Sequence, residues 1–72
     1  MPTMREFNDA VEVLKRLVAK YTLAGTSRRT GLSREVVERA IDPKRSVREG
    51  TVLLIIARVQ AYQAAHEDEA AE

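Results

Sequence analysis

The sequence predicts a small all-α fold: a single four-helix domain with a helix-turn-helix within a chain of 72 residues. Apolar residues recur at spacings of three and four, and no segment shows the strict alternation that is typical of a strand. Capping residues and helix-ending residues divide the chain into short helices. We expect the domain to cover residues 1–65, with an acidic, disordered tail at 66–72.

Composition narrows the classes of function. The absence of cysteine excludes disulfides and thiolate chemistry and is compatible with a reduced, cytoplasmic setting. The longest apolar run, residues 52–57, is too short to cross a bilayer, and the amino terminus lacks the apolar stretch of a secretory signal. A chain of this length leaves little room for a substrate cleft, so a binding module is favoured over an enzyme.

The first predicted helix covers about residues 4–20. Thr3 and Glu6 have the spacing of a capping box at its start. Its apolar stripe, widened by Ala10 and Leu17, consists of Met4, Phe7, Val11, Leu14, Val18 and Tyr21.

Two shorter helices are predicted to follow. Thr22 is a candidate cap for a helix of about 23–30, and Gly31 is suited to the left-handed turn at its end. Ser33 is a candidate cap for a third helix of about 34–41. That helix should end at Asp42, since the residue before Pro43 is pushed out of helical geometry.

The fourth predicted helix, about 47–64, has two apolar faces. Ser46 and Glu49 form a capping-box pattern at its start. One face carries Val52, Ile55, Ile56, Val59 and Tyr62, and the other carries Leu53, Leu54, Ala57 and Ala61. Two apolar faces need two partners. Either the second face forms the interface of a homodimer, or the helix is central and the other helices surround it.

Charge is strongly segregated along the chain although the net charge is only +1. Residues 15–48 contain ten Lys or Arg and only three acidic residues, whereas residues 66–72 contain four acidic residues. A basic block of this kind is the electrostatic pattern that a nucleic-acid surface requires. The alternative is a set of ordinary solvated helix faces.

The third predicted helix separates charge from apolar residues. At about 100° per residue, Arg34, Glu35, Glu38 and Arg39 share one sector, and Val37 and Ile41 lie on the opposite side. A short helix, a tight glycine turn and a second helix with an outward charged face form a helix-turn-helix pattern. In that motif the second helix enters the DNA major groove.

The segment from Gly31 to Ile41, GLSREVVERAI, resembles the turn and recognition helix of phage-repressor-type (lambda repressor, Cro and Xre-like) and LacI-like DNA-binding domains. Gly31 matches the turn glycine of that family, and Leu32 matches the apolar residue after it. Val37 and Ala40 match its buried residues. The sequence differs at Thr26 and Ser27, where family members usually carry an aliphatic residue and alanine. The resemblance covers about residues 20–60, with the helix-turn-helix at about 22–41, and implies a lambda repressor-like fold.

Groove chemistry assigns roles to the third helix. An arginine donates two hydrogen bonds to a guanine edge, which makes Arg34 and Arg39 the leading base-contacting candidates. The remaining candidates for base contact are Ser33, Glu35 and Glu38. The alternative for the charged residues is a pair of i,i+4 ion pairs, Arg34–Glu38 and Glu35–Arg39, on a solvated helix.

Seven flanking residues are candidates for contact with DNA phosphates, which give affinity without sequence information. They lie early or late in the second helix and around the turn into the fourth: Thr22, Thr26, Arg28, Arg29, Lys44, Arg45 and Arg48.

The sequence contains no pattern for a nucleophile, a phosphate loop or a metal site, so we expect no catalysis, no cofactor and no metal. Together with the resemblance, it predicts a Cro- or repressor-like transcriptional regulator of a phage, prophage or plasmid. This protein would bind double-stranded DNA as a homodimer in the cytoplasm, without a membrane or a small-molecule substrate. The alternatives are a protein-interaction module that uses helix 47–64, such as an antirepressor or antitoxin, and a DNA-bending recombination accessory protein.

Overall fold

A computed structural model of the chain describes residues 4–66, and this part of the chain is helical without any strand. It contains α1 (Met4–Thr30), α2 (Arg34–Ile41) and α3 (Glu49–Ala65), and both α2 and α3 pack against α1. The all-α prediction is therefore confirmed. The predicted capping residue Thr3 and residues 67–72 of the predicted tail lie outside the described residues.

Helix α1 spans both of the first two predicted helices and is kinked at Thr22. The backbone of Thr22 leaves the helical region, with φ 71° and ψ 174°. Its hydroxyl accepts a hydrogen bond from the Gly25 amide at 3.4 Å, as expected for a residue that caps a new helical turn. The helix boundary predicted after Tyr21 is therefore present as a kink within α1.

The kink places Thr22 in a backbone region that is almost exclusive to glycine and costs of order 1–3 kcal/mol. Tyr21, the residue before the kink, makes two close contacts with the second half of α1. The guanidinium of Arg29 lies over the Tyr21 ring, 3.7 Å from its centroid. Tyr21 also lies directly against Gly25, where an added Cβ would be only 2.8 Å from the Tyr21 Cβ. Gly25 thus allows Tyr21 and Arg29 to stack along the second half of α1.

We expect Gly25→Ala to lower the free energy of unfolding by about 1–3 kcal/mol, because overpacking forces the backbone to shift. Gly50→Ala is the matched control, since no atom lies within 4 Å of the added methyl group in the first turn of α3. This control should raise stability by about 0.5–1 kcal/mol through higher helix propensity. Urea denaturation of both variants tests the contrast, and equal effects would contradict the close packing at Tyr21.

The core lies where α1 faces α2 and α3. The α1 residues in it are Ala10, Val13, Leu14 and Leu17. The predicted apolar stripe is therefore partly wrong. Val13 was not included in it, and Met4 is 73% exposed. The physical reason is that the positions of the partner helices decide which α1 side chains are covered, and Met4 lines an open groove with Ile41 and Val47.

Helix α3 begins two residues later than predicted. Its cap residue is Arg48, which makes no side-chain capping bond, so the capping box of Ser46 with Glu49 is wrong. Val47 explains the difference, because it is partly buried and packs against the core from the loop. A helix that started at Val47 would not place this side chain in the same contact.

The two apolar faces of α3 have different environments. Ile55, Ile56, Val59 and Tyr62 are buried in the core, whereas Leu53 and Leu54 are 48% and 44% exposed. Ala57 and Ala61 are exposed as well. The alternative of a central helix surrounded by the others is therefore wrong. Within residues 4–66, no helix is both long and apolar enough to cross a membrane.

Candidate nucleic-acid interface

The candidate interface is organised by the turn between α1 and α2. Gly31 has a φ of 76°, the left-handed conformation that ends many helices. Its amide donates to the Ser27 carbonyl at 2.9 Å, which closes the last turn of α1. The role predicted for Gly31 is confirmed.

Two hydroxyl groups hold this turn in place through three hydrogen bonds. Thr30 Oγ1 donates to the Thr26 carbonyl at 2.8 Å and accepts from the Leu32 amide at 3.4 Å. Ser27 Oγ donates to the Leu32 carbonyl. Leu32 itself is 2% exposed and anchors the turn in the core. The turn is therefore fixed by hydrogen bonds across it as well as by apolar packing.

Thr26 is a correction to the predicted phosphate-contacting set. Its side chain is fully buried, and its hydroxyl donates to the Thr22 carbonyl at 2.9 Å. A buried hydroxyl that is already hydrogen-bonded cannot meet a phosphate, so Thr26 is a core residue. It occupies the position at which the resembling family carries an aliphatic side chain. The hydrogen bond to Thr22 makes a polar residue acceptable there.

Helix α2 begins as predicted. Ser33 is its cap, and its hydroxyl accepts from the Val36 amide at 3.2 Å. Val37 and Ala40 are buried, and Asp42 ends the helix. The five residues predicted to contact bases are all exposed: Ser33, Arg34, Glu35, Glu38 and Arg39. The predicted separation of charged and apolar faces is confirmed.

The two arginines of α2 differ in their partners. Arg39 Nη2 lies 3.3 Å from Glu35 Oε1, and both side chains are well exposed. Among the described residues, Arg34 and Glu38 form no corresponding pair. An exposed i,i+4 pair contributes only a few tenths of a kcal/mol, so Arg39 is oriented by Glu35 and can still be recruited to another partner.

The other predicted phosphate-contacting residues lie on both sides of α2. All six are exposed: Thr22 at the kink, Arg28 and Arg29 at the end of α1, and Lys44, Arg45 and Arg48 in the loop before α3. Arg29 is stacked on Tyr21, and Arg45 Nε lies 3.4 Å from Asp42 Oδ2. Asp42 also accepts from the Lys44 amide at 2.9 Å. The two contacts of Asp42 hold Lys44 and Arg45 at the start of the loop between α2 and α3.

One basic residue beside the turn was missed by the sequence analysis. Arg58 of α3 extends across the turn, and its Nη1 is 3.4 Å from the position of a Cβ added at Gly31. Residues 49–65 have a balanced charge, with Glu49 and Arg58, so charge along the chain does not indicate this residue. The signal available in the sequence is that Arg58 is the only charged residue of α3 after its first turn.

Comparisons with known proteins identify no relative. No protein-family model matches the chain, and neither the curated proteins nor the solved structures include a significant match. Within the part of the chain that the structure describes, no group of three or more His, Cys, Asp or Glu could hold a metal ion.

Proposed function

We propose that this protein is a sequence-specific double-stranded DNA-binding protein that acts as a transcriptional regulator, similar to the small Cro- and repressor-like proteins of phages, prophages and plasmids. In this proposal residues 22–41 act as the helix-turn-helix of a lambda repressor-like, four-helix domain. The observation that carries it is the surface of α2: the residues from Ser33 to Arg39 that face solvent are polar, while Val37 anchors the helix in the core. A helix anchored in this way can enter the major groove as a rigid unit.

Exposed basic residues on both sides of α2 support the proposal. Arg28 precedes the turn, and Lys44 and Arg48 follow the helix. Residues that flank a groove-inserted helix are suited to the phosphates along the groove edges. In this arrangement Arg34 and Arg39 contact base edges, and the flanking residues position the domain on the duplex.

The exposed apolar face of α3 supports binding as a homodimer. Leu53, Leu54, Ala57 and Ala61 form a face that the domain core does not cover. The proposed dimer pairs this face between two copies and requires that the two α2 helices reach successive major grooves, about one helical turn of DNA apart. Such a regulator would act in the cytoplasm, on the nucleoid.

The same exposed leucines favour a second candidate function. A helix-turn-helix domain that binds another protein through α3, as an antirepressor or antitoxin does, would also expose Leu53 and Leu54. The two functions differ in their response to salt, because phosphate contacts release counterions and apolar contacts do not.

We expect the affinity of the protein for a random-sequence duplex to fall steeply with salt, with a log–log slope of about −4 to −8 if that many phosphates are contacted. Fluorescence anisotropy with a labelled duplex, from low to moderate salt, measures this slope. Absence of binding at low salt would contradict the DNA-binding function and would favour the protein-interaction module.

A further inference from the structure

We infer that Arg58 is a further phosphate-contacting residue, through which α3 takes part in DNA binding together with the helix-turn-helix. This inference rests on the proposed function. It starts from the place of one side chain: the Arg58 guanidinium lies beside the turn at Gly31, with Nη1 and Cζ 3.4 and 3.8 Å from where a Cβ at that glycine would stand.

The charge of Arg58 is not neutralised by any of the residues 4–66 that the structure describes. Its side chain is exposed, and among residues 4–66 it has no ion-pair or hydrogen-bond partner. Two basic residues elsewhere in the described chain are compensated, Arg45 by Asp42 and Lys15 by Glu12, whereas Arg34 is unpaired like Arg58. An uncompensated guanidinium that lies against the turn remains available for an external anion.

The position of Arg58 is notable within α3. Arg58 is the residue after Ala57 and lies about one helical turn before Ala61. It therefore lies at the edge of the exposed apolar face that contains these two alanines. The side chain turns from that face toward the turn at Gly31.

The turn itself lies between two basic segments. Arg28 precedes Gly31 and Arg34 follows it, and both are exposed. Arg58 therefore extends the same basic surface from a third helix. A cation at this place fits a phosphate of the DNA backbone, because it lies beside the turn and not within the base-contacting face of α2.

The inference is tested with Arg58→Gln, which shortens the side chain and removes its charge, and Arg58→Lys, which keeps the charge. Arg16→Gln is the matched control, because Arg16 lines a groove with Gln60 and Gln63 on the other side of α3. Affinity for one labelled random-sequence duplex is measured over a salt series for the parent and all three variants.

We expect Arg58→Gln to weaken binding several-fold at low salt and to reduce the magnitude of the log–log slope by about 0.9, the value for one lost phosphate contact. Arg58→Lys and Arg16→Gln should keep the parent slope. An unchanged slope in Arg58→Gln would overturn the inference while leaving the proposed function intact, whereas a parent that does not bind the duplex would overturn both.

A purely structural role of Arg58 gives a different result. In that case Arg58→Gln would lose helical signal or lower the melting temperature, and Arg58→Lys would lose the parent slope as well. Either outcome would overturn the inference, because it would mean that Arg58 stabilises the turn and does not contact a phosphate.

Discussion

Replacing Arg34 with alanine is expected to abolish the preference of the protein for one base pair in each half-site, at a cost of about 1–3 kcal/mol per contact. The reason is that Arg34 is exposed in the first turn of α2, next to the Ser33 cap, and is not engaged in an ion pair within the described chain. Arg39→Ala is expected to act on a different base pair, since Arg39 lies more than one turn further along the helix. The measurement is the affinity of each variant for the preferred duplex and for duplexes with single base-pair changes.

Lys44→Ala provides the control for these two variants. Lys44 is exposed in the loop after α2, where a phosphate contact carries no sequence information. Its loss should weaken binding to all duplexes by a similar factor and leave the order of preference unchanged. If Arg34→Ala and Lys44→Ala gave the same profile across the duplexes, the role of Arg34 at a base edge would be wrong.

Replacing Leu54 with aspartate is expected to convert the proposed dimer into a folded monomer. Leu54 is 44% exposed in the single chain, so the substitution leaves the core of each domain intact. In the dimer, the same side chain would lie in the interface, and two buried carboxylates would oppose association. Affinity for a duplex with two half-sites should fall by roughly 10²-fold or more, because the second site no longer binds as part of the same molecule.

Asn8→Asp is the matched control for Leu54→Asp, since it adds one negative charge at an exposed position of α1. Sedimentation equilibrium should show a dimer for the parent and Asn8→Asp, and a monomer for Leu54→Asp. A parent that remains monomeric at all concentrations, with and without DNA, would contradict the role of this face.

The features predicted best from the sequence depend on local backbone chemistry. Ser33, Gly31 and Asp42 act at helix ends through their own side chain or backbone, so their positions indicate the boundaries of α2 directly. The exposed and buried faces of α2 also follow from its sequence, because a short helix with strongly segregated residues has only one way to bury its apolar side.

The features missed by the sequence analysis depend on contacts between distant residues. Which face of α1 is buried depends on where α2 and α3 pack, and this decides the exposure of Met4. The start of α3 depends on the tertiary contact of Val47 with the core. The contact of Arg58 with the turn joins residues that are far apart in the chain, and no local pattern indicates it.

Hydrogen bonding explains the remaining difference. Thr26 and Thr30 are polar residues and were not expected in the core, yet both are buried. Each donates its hydroxyl to a carbonyl four residues earlier, which offsets the cost of burial. Polar residues of this size in a helix do not by themselves indicate whether they face solvent or the interior.

The most direct test of the central claim, that α2 contacts base edges, is selection by the parent protein from a pool of random duplexes. The account predicts enrichment of two related half-sites whose centres are about one helical turn apart. The result that would contradict the claim is a protein that binds duplex DNA but enriches no sequence. The selected pool would then keep the base composition of the starting pool.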